Sequence, residues 1–138
     1  IIYPYAVIGM TGFIREDSNA TNKIIIGNNN WIGNFTSIMC GKEKPTIIGD
    51  NNLIMNYVNI GHDVTIGSDN EIGARSIVAG FGEIGNKNKI KLNCTIRNRV
   101  IIKNENIIGM GSTVTKNFDV ESWIIYGSPA RKIKRRIY

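Results

Sequence analysis

Histidine is almost absent from these 138 residues: His62 stands alone, beside only two cysteines, Cys40 and Cys94. So few ligands exclude a four-ligand zinc site, and the two isolated thiols exclude a disulfide framework and fit a reducing compartment. Leucine is scarce as well, occurring at Leu53 and Leu92, whereas isoleucine and asparagine recur throughout. β-Branched strand residues and polar turn formers thus stand where helix formers would, and helix should be minor. No apolar run approaches the ~20 residues of a membrane span. The opening residues lack a signal peptide's basic region and long apolar stretch. The expectation is a single-domain cytoplasmic protein without a membrane span. Ile1 stands where a Met would open a gene product, which leaves a preceding segment or a secreted mature form open.

Acidic residues are too few to balance the basic ones, and the formal charge is +6. The excess is local: Arg131, Lys132, Lys134, Arg135 and Arg136 fall within six positions. Such a tail suits nucleic acid, anionic lipid, a phosphorylated ligand or a solvated face. No aromatic stacking residues are interleaved with it, which disfavours nucleic acid.

What the sequence has in abundance is a period of six. Ile48, Ile54, Ile60, Ile66, Ile72, Val78, Ile84, Ile90, Ile96, Ile102, Ile108 and Val114 form an unbroken β-branched series. Six matches neither the helical period of 3.6 nor the strand period of 2. It suits short strands that turn a corner and bury one aliphatic side chain per side. Asn52, Asn70, Asn88 and Asn106 recur every eighteen residues, so three sides close one coil. Asn tolerates left-handed turns, and its amide can bond the equivalent group one coil away. The fold class read from this is all-β, a parallel β-helix of about six coils, ~29 Å long at the ~4.8 Å strand spacing. The expected β-helical domain runs over 1–127. Two polar interruptions, 14–25 and 42–47, read as loop excursions, and loops leaving a rigid coil carry binding contacts. Trp123 to Tyr126 reads as a strand. Residues 128–138 read as a short basic C-terminal helix, with Ser128 as N-cap, Pro129 at its first position, and Ile133 and Ile137 on one face.

The rungs, the segment NIGHDVTIG (Asn59 to Gly67), and the ending GMGSTVTKNF followed by YGSPARKIK together resemble the hexapeptide-repeat acyltransferases, over nearly the whole chain. Residues 48–85 are most similar to bacterial sugar N-acetyltransferases and to UDP-N-acetylglucosamine O-acyltransferase. The resemblance implies a left-handed coil, against the usual right-handed crossover, and a homotrimer with active sites between subunits. It implies acyl transfer to a sugar, a chemistry that needs a base, oxyanion donors and a cradle for the acyl carrier. His62 matches the family's catalytic base, and imidazole is the side chain that titrates near neutrality. Asp63 matches the carboxylate that orients such a ring. Neighbours on a regular strand point to opposite faces, so Asp63 reaches His62 only where the corner bends or across a subunit boundary; otherwise it is a solvated turn residue. Gly80, one coil further on in VAGFGE, matches the oxyanion donor through its N–H, a steric need for Gly at the corner being the alternative. Phe81 and Arg97 stand where the lipid-pathway O-acyltransferase has further histidines, which argues against that enzyme's particular substrate.

By the same resemblance the co-substrate is acetyl-CoA, with Gly109 and Gly111 facing its pantetheine arm and Lys116, Arg131 and Lys132 meeting its phosphates. The function implied is acetylation of an amine or hydroxyl of a nucleotide-linked sugar in surface polysaccharide synthesis, without a metal. An acyl-carrier-protein donor would also suit the basic tail, although that relative's larger C-terminal helical region has no counterpart here. A non-enzymatic hexapeptide scaffold is the alternative from another class, against which the His62-Asp63 pair speaks. A γ-class carbonic anhydrase needs three histidines, and an ice-binding coil needs regular Thr ranks; the sequence has neither.

Overall fold

A computed structural model describes residues 1–11 and 20–137. The chain climbs through three parallel sheets in turn. The first face stacks Val7–Met10, Ser37–Met39, Asn59–Ile60, Ile77–Val78, Thr95–Ile96 and Thr113–Val114. The second stacks Ile24–Ile26, Thr46–Ile48, Thr65–Ile66, Glu83–Ile84 and Ile101–Ile102. The third runs from Trp31–Ile32 through Leu53–Ile54, Glu71–Ile72, Lys89–Ile90 and Ile107–Ile108 to Trp123–Gly127 and Ala130–Arg135. Between residues 46 and 114, partners lie eighteen apart, as in Ile77↔Thr95 and Lys89↔Ile107. This is a parallel β-helix of about six turns, as the sequence period requires, and left-handed, as the resemblance implies.

Every member of the aliphatic series from Ile48 to Val114 is buried at 2% exposure or less, so one side chain per rung fills the axis of the coil. Burying such a side chain stabilises by about 1.5–3 kcal/mol, and twelve in register form one continuous core. Each rung reaches the next through a corner residue with φ near +60°. Asn51, Tyr57, Asp63, Asp69, Arg75, Phe81, Lys87, Asn93, Arg99 and Glu105 all hold this left-handed geometry.

The asparagine ladder lies one residue after those left-handed positions, between the second and third faces. Its members are buried, and each Oδ1 accepts the backbone N–H of the next, from Asn70 to Asn52 (2.9 Å), Asn88 to Asn70 (2.8 Å) and Asn106 to Asn88 (2.9 Å). The coil-to-coil bonding expected of these residues is present; the left-handed φ falls on their predecessors. Asn30 extends the ladder to Asn52 across a longer spacing.

That spacing is 22 residues, as in Trp31↔Leu53 and Ser37↔Asn59, because the excursion near 42 adds four residues to one coil. It is narrower than the sequence suggested, since Thr46–Ile48 is a strand whose ends are buried at 0 and 1% exposure. Ile24 and Ile25 likewise belong to a strand; residues 14–19 of the other expected loop lie outside the described residues.

The expected C-terminal helix is not formed. Ala130–Arg135 pairs antiparallel with Trp123–Gly127, which itself continues the third face beside Ile107–Ile108. Ile133 and Ile137, the two residues spaced for a helical stripe, stay 57% and 97% exposed and pack on no core. The open edge of Trp123–Gly127 offered backbone partners instead.

Candidate active site

His62 and Asp63 turn the corner from the first face to the second. Asp63 takes φ 59° there, and this bend cancels the strand alternation that would have sent the two side chains apart. His62 Nδ1 lies 2.6 Å from Asp63 Oδ2 within one chain. Asp63 is wholly buried, not a solvated turn residue. Its Oδ1 accepts the N–H groups of Glu43 and Lys44, both at 2.7 Å, and its Oδ2 that of Lys42 at 3.0 Å. Burial pushes this carboxyl up, but the Lys44 N–H, the His62 ring and the Lys42 and Glu43 N–H groups outweigh it and hold it below its ordinary value. An ionised Asp63 accepts only, so the ring N–H at Nδ1 donates to it and Nε2 faces away from the carboxylate.

That Nε2 lies over Gly80. A Cβ built on Gly80 would stand 2.8 Å from Nε2 and 3.0 Å from Cε1, so only glycine lets the ring settle there. The Gly80 N–H donates to no acceptor among the described residues. At the corner between the second and third faces the matching N–H groups are taken by side chains one coil on, as Ser68 N–H is by Asn86 and Asn86 N–H by Asn104. His62, Asp63 and Gly80 are therefore brought together, with an unused donor beside the Nε2 edge of the imidazole.

The residues expected to hold the acyl carrier are not gathered in the same way. Lys116 stands in the column of His62 and Gly80, three coils above His62, or ~14 Å along the axis. Gly111 is exposed at a different corner, with φ 70° and open space around it. Gly109 lies beneath Tyr126, whose Cδ2 would meet a Cβ there, and its N–H and carbonyl are bound to Ile125 and Ser112. Gly109 has no backbone group left for a ligand. Arg131 and Lys132 sit on the terminal hairpin, where Lys132 Nζ lies 5.1 Å from the Trp123 ring centre.

Three features escaped sequence reasoning. The three N–H groups that hold Asp63 come from the short excursion, whose sequence position was legible but whose target was not. Phe81 meets His62 edge to face at 5.2 Å, and the Arg99 guanidinium lies 4.1 Å above the Phe81 ring. Their eighteen-residue spacing was the available signal. A third feature lies on another corner, where Tyr5, Phe35 and Tyr57 stack at 5.1 Å between ring centres.

Residues 45–80 match the family model for the bacterial transferase hexapeptide, six repeats. The chain is a hexapeptide-repeat β-helix. This hexapeptide chain is 40% identical over 86 residues to the acyl-[acyl-carrier-protein]–UDP-N-acetylglucosamine O-acyltransferase of Nautilia profundicola, covering 60% of this chain and 33% of that protein. Among solved structures it is similar to the UDP-N-acetylglucosamine O-acyltransferase of Moraxella catarrhalis, with TM-score 0.90 and 28% identity over 97% of this chain and 53% of that one. The fold is shared with a mutant perosamine N-acetyltransferase from Caulobacter crescentus in complex with CoA and GDP-perosamine, with TM-score 0.80 and 20% identity over 96% of this chain and 55% of that one. The hexapeptide chain thus spans about a third of the curated relatives it matches and about half of the solved chains.

Proposed function

We propose that this chain is an acyltransferase that moves an acetyl group from acetyl-CoA to an amine or hydroxyl of a nucleotide-linked sugar in surface polysaccharide synthesis, with His62 as general base. The observation that carries this reading is the short Asp63–His62 contact above Gly80. Nε2 takes the proton as the acceptor's nitrogen or oxygen attacks the thioester carbon. The carbonyl oxygen becomes an oxyanion that accepts from the Gly80 N–H. Collapse breaks the carbon–sulfur bond, and the departing thiolate recovers the proton from His62. Asp63 stabilises the imidazolium in between. Lys116, Arg131 and Lys132 are the residues proposed to meet the carrier's phosphates, and Gly111 the one to flank its pantetheine arm.

An acyl-carrier-protein donor is the second reading, favoured by the relative from Nautilia profundicola. Both donors present a phosphopantetheine thioester to the same corner. A homotrimer in the cytoplasm fits the proposal, and exposed apolar side chains along the first face and its corner, Tyr5, Val7, Phe35, Tyr57 and Ile77, suit burial by a second copy.

The test follows thiol release from acetyl-CoA, and from acetyl and longer acyl-carrier-protein thioesters, over a panel of nucleotide-linked sugars, for wild type and His62→Ala. Sugar-dependent release lost in the variant is expected. Undiminished turnover in His62→Ala removes the base, and the absence of both CoA binding and thiol release hands the fold to the scaffold reading.

A further inference from the structure

Beside the imidazole the first-to-second corner carries a second, unassigned structure. Phe81 and Arg99 occupy the left-handed position of successive coils, with φ of 60° and 62°. Their backbones are tied one coil apart, Phe81 N–H donating to the His62 carbonyl and Arg99 N–H to that of Gly80, both at 3.0 Å. Their side chains therefore leave the coil from equivalent points, and the guanidinium settles on the ring at 4.1 Å. The ring in turn meets His62 edge-on at 5.2 Å. Two contacts in series thus fix where the cation stands relative to the base.

The cation is uncommitted. The Arg99 side chain makes no hydrogen bond or ion pair among the described residues. Glu83, which lines the same groove from the next face, pairs with Lys44 at 3.5 Å. A groove of about 380 Å³ opens here, lined by Glu43, Lys44, Phe81, Glu83, Arg99 and Ile101. A guanidinium resting over an aromatic ring face still has N–H groups to offer, and it binds anions such as phosphate through them.

We infer that Arg99, seated on Phe81, binds the diphosphate of the nucleotide-linked acceptor and so selects sugars that carry this anion. The inference deepens the acyl-transfer reading and rests on it. Arg99 acts on binding rather than on the proton transfer.

Two measurements test it. Calorimetry with UDP, GDP, dTDP and inorganic pyrophosphate on wild type, Arg99→Gln, Arg99→Lys and Phe81→Leu reads the anion site without any turnover. Kinetics then compare a nucleotide-linked sugar with the same sugar lacking the diphosphate. The expected result is a rise of about 10–100-fold in dissociation constant and KM in Arg99→Gln, with kcat within about twofold, partial recovery in Arg99→Lys, and no change for the free sugar. Nucleotide binding that is equal in wild type and Arg99→Gln, or absent from both, overturns the inference. Loss of CoA affinity in place of nucleotide affinity assigns the arginine to the donor and overturns it too. His62→Ala separates the two levels: retained turnover there sinks the acyl-transfer reading while the calorimetric arm still decides Arg99.

Discussion

Replacing Asp63 by Asn changes one oxygen of a buried carboxylate into a donor, and the structure shows what that donor would face. The two oxygens of Asp63 accept three backbone N–H groups and the His62 ring. If the amide oxygen keeps the Glu43 and Lys44 N–H groups, the new NH₂ points at the Lys42 N–H and at Nδ1. The first clash leaves a buried donor without its acceptor, at about 1–3 kcal/mol, and the remaining bonds lose their charge assistance. A loss of about 2–4 kcal/mol in all, at about 4 °C per kcal/mol for a chain of this size, lowers the melting temperature by about 8–16 °C. The second clash has a chemical outcome: Nδ1 accepts from the amide, the proton moves to Nε2, and the base is gone. A fall in kcat of at least about 10²-fold with little change in KM is expected. Melting followed by circular dichroism at fixed protein concentration, repeated against pH, checks the argument. Asp63 is depressed in the folded state, so its contribution is complete above the unfolded value of 3.8 and is lost as the pH falls from there through the folded value. The wild-type advantage over Asp63→Asn must shrink across that acidic window. Equal melting temperatures at pH 7 would refute the reasoning.

Four other substitutions probe separate links. Gly80→Ala puts a methyl 2.8 Å from His62 Nε2, so the ring must move; kcat should fall by about 10²-fold or more while the unfolding midpoint in denaturant changes little. Asn70→Ala removes an Oδ1 that accepts from Asn88 and an amide that donates to Asn52 and Gly85, and should cost about 2–4 kcal/mol by chemical denaturation. Asn88→Ala should cost less than Asn70→Ala in the same experiment, because Asn88 Nδ2 already lacks a partner. Ile96→Ala, in the centre of the axial core at 0% exposure, should lower the unfolding free energy by about 2–5 kcal/mol.

The coil was legible because its physics is local and repeated. One aliphatic residue per six can be buried only on a triangular axis, and one Asn per eighteen can bond only its own copy. The same logic failed where repetition ended. Thr46 and Ile47 sit among charged residues and Pro45, and their polar company hid a strand whose register is fixed by Ile24–Ile26 and Thr65–Ile66 on either side. Ile133 and Ile137 carried a helical spacing, but two residues cannot decide between helix and strand when the deciding partner, the free edge of Trp123–Gly127, is supplied by the tertiary fold.

At the site the division falls differently. The placement of Gly80 one coil beyond His62 was legible because a coil places residue i beside i+18, whereas strand alternation left the reach of Asp63 open until the bend of the corner decided it. What stayed hidden were groups with no side-chain signature: the Lys42, Glu43 and Lys44 N–H groups donate as backbone, and any residue types could have supplied them. They nevertheless determine the site's electrostatics, since without them burial would raise Asp63 and weaken its hold on Nδ1–H. The four inserted residues thus fold back onto the first-to-second corner and supply the donors that keep Asp63 ionised. The columns at that corner are where chemistry can vary without cost to the core, because their side chains point away from the axis. Phe81 and Arg99 use that freedom, and their place beside His62 follows from the eighteen-residue register that also stacks the isoleucines.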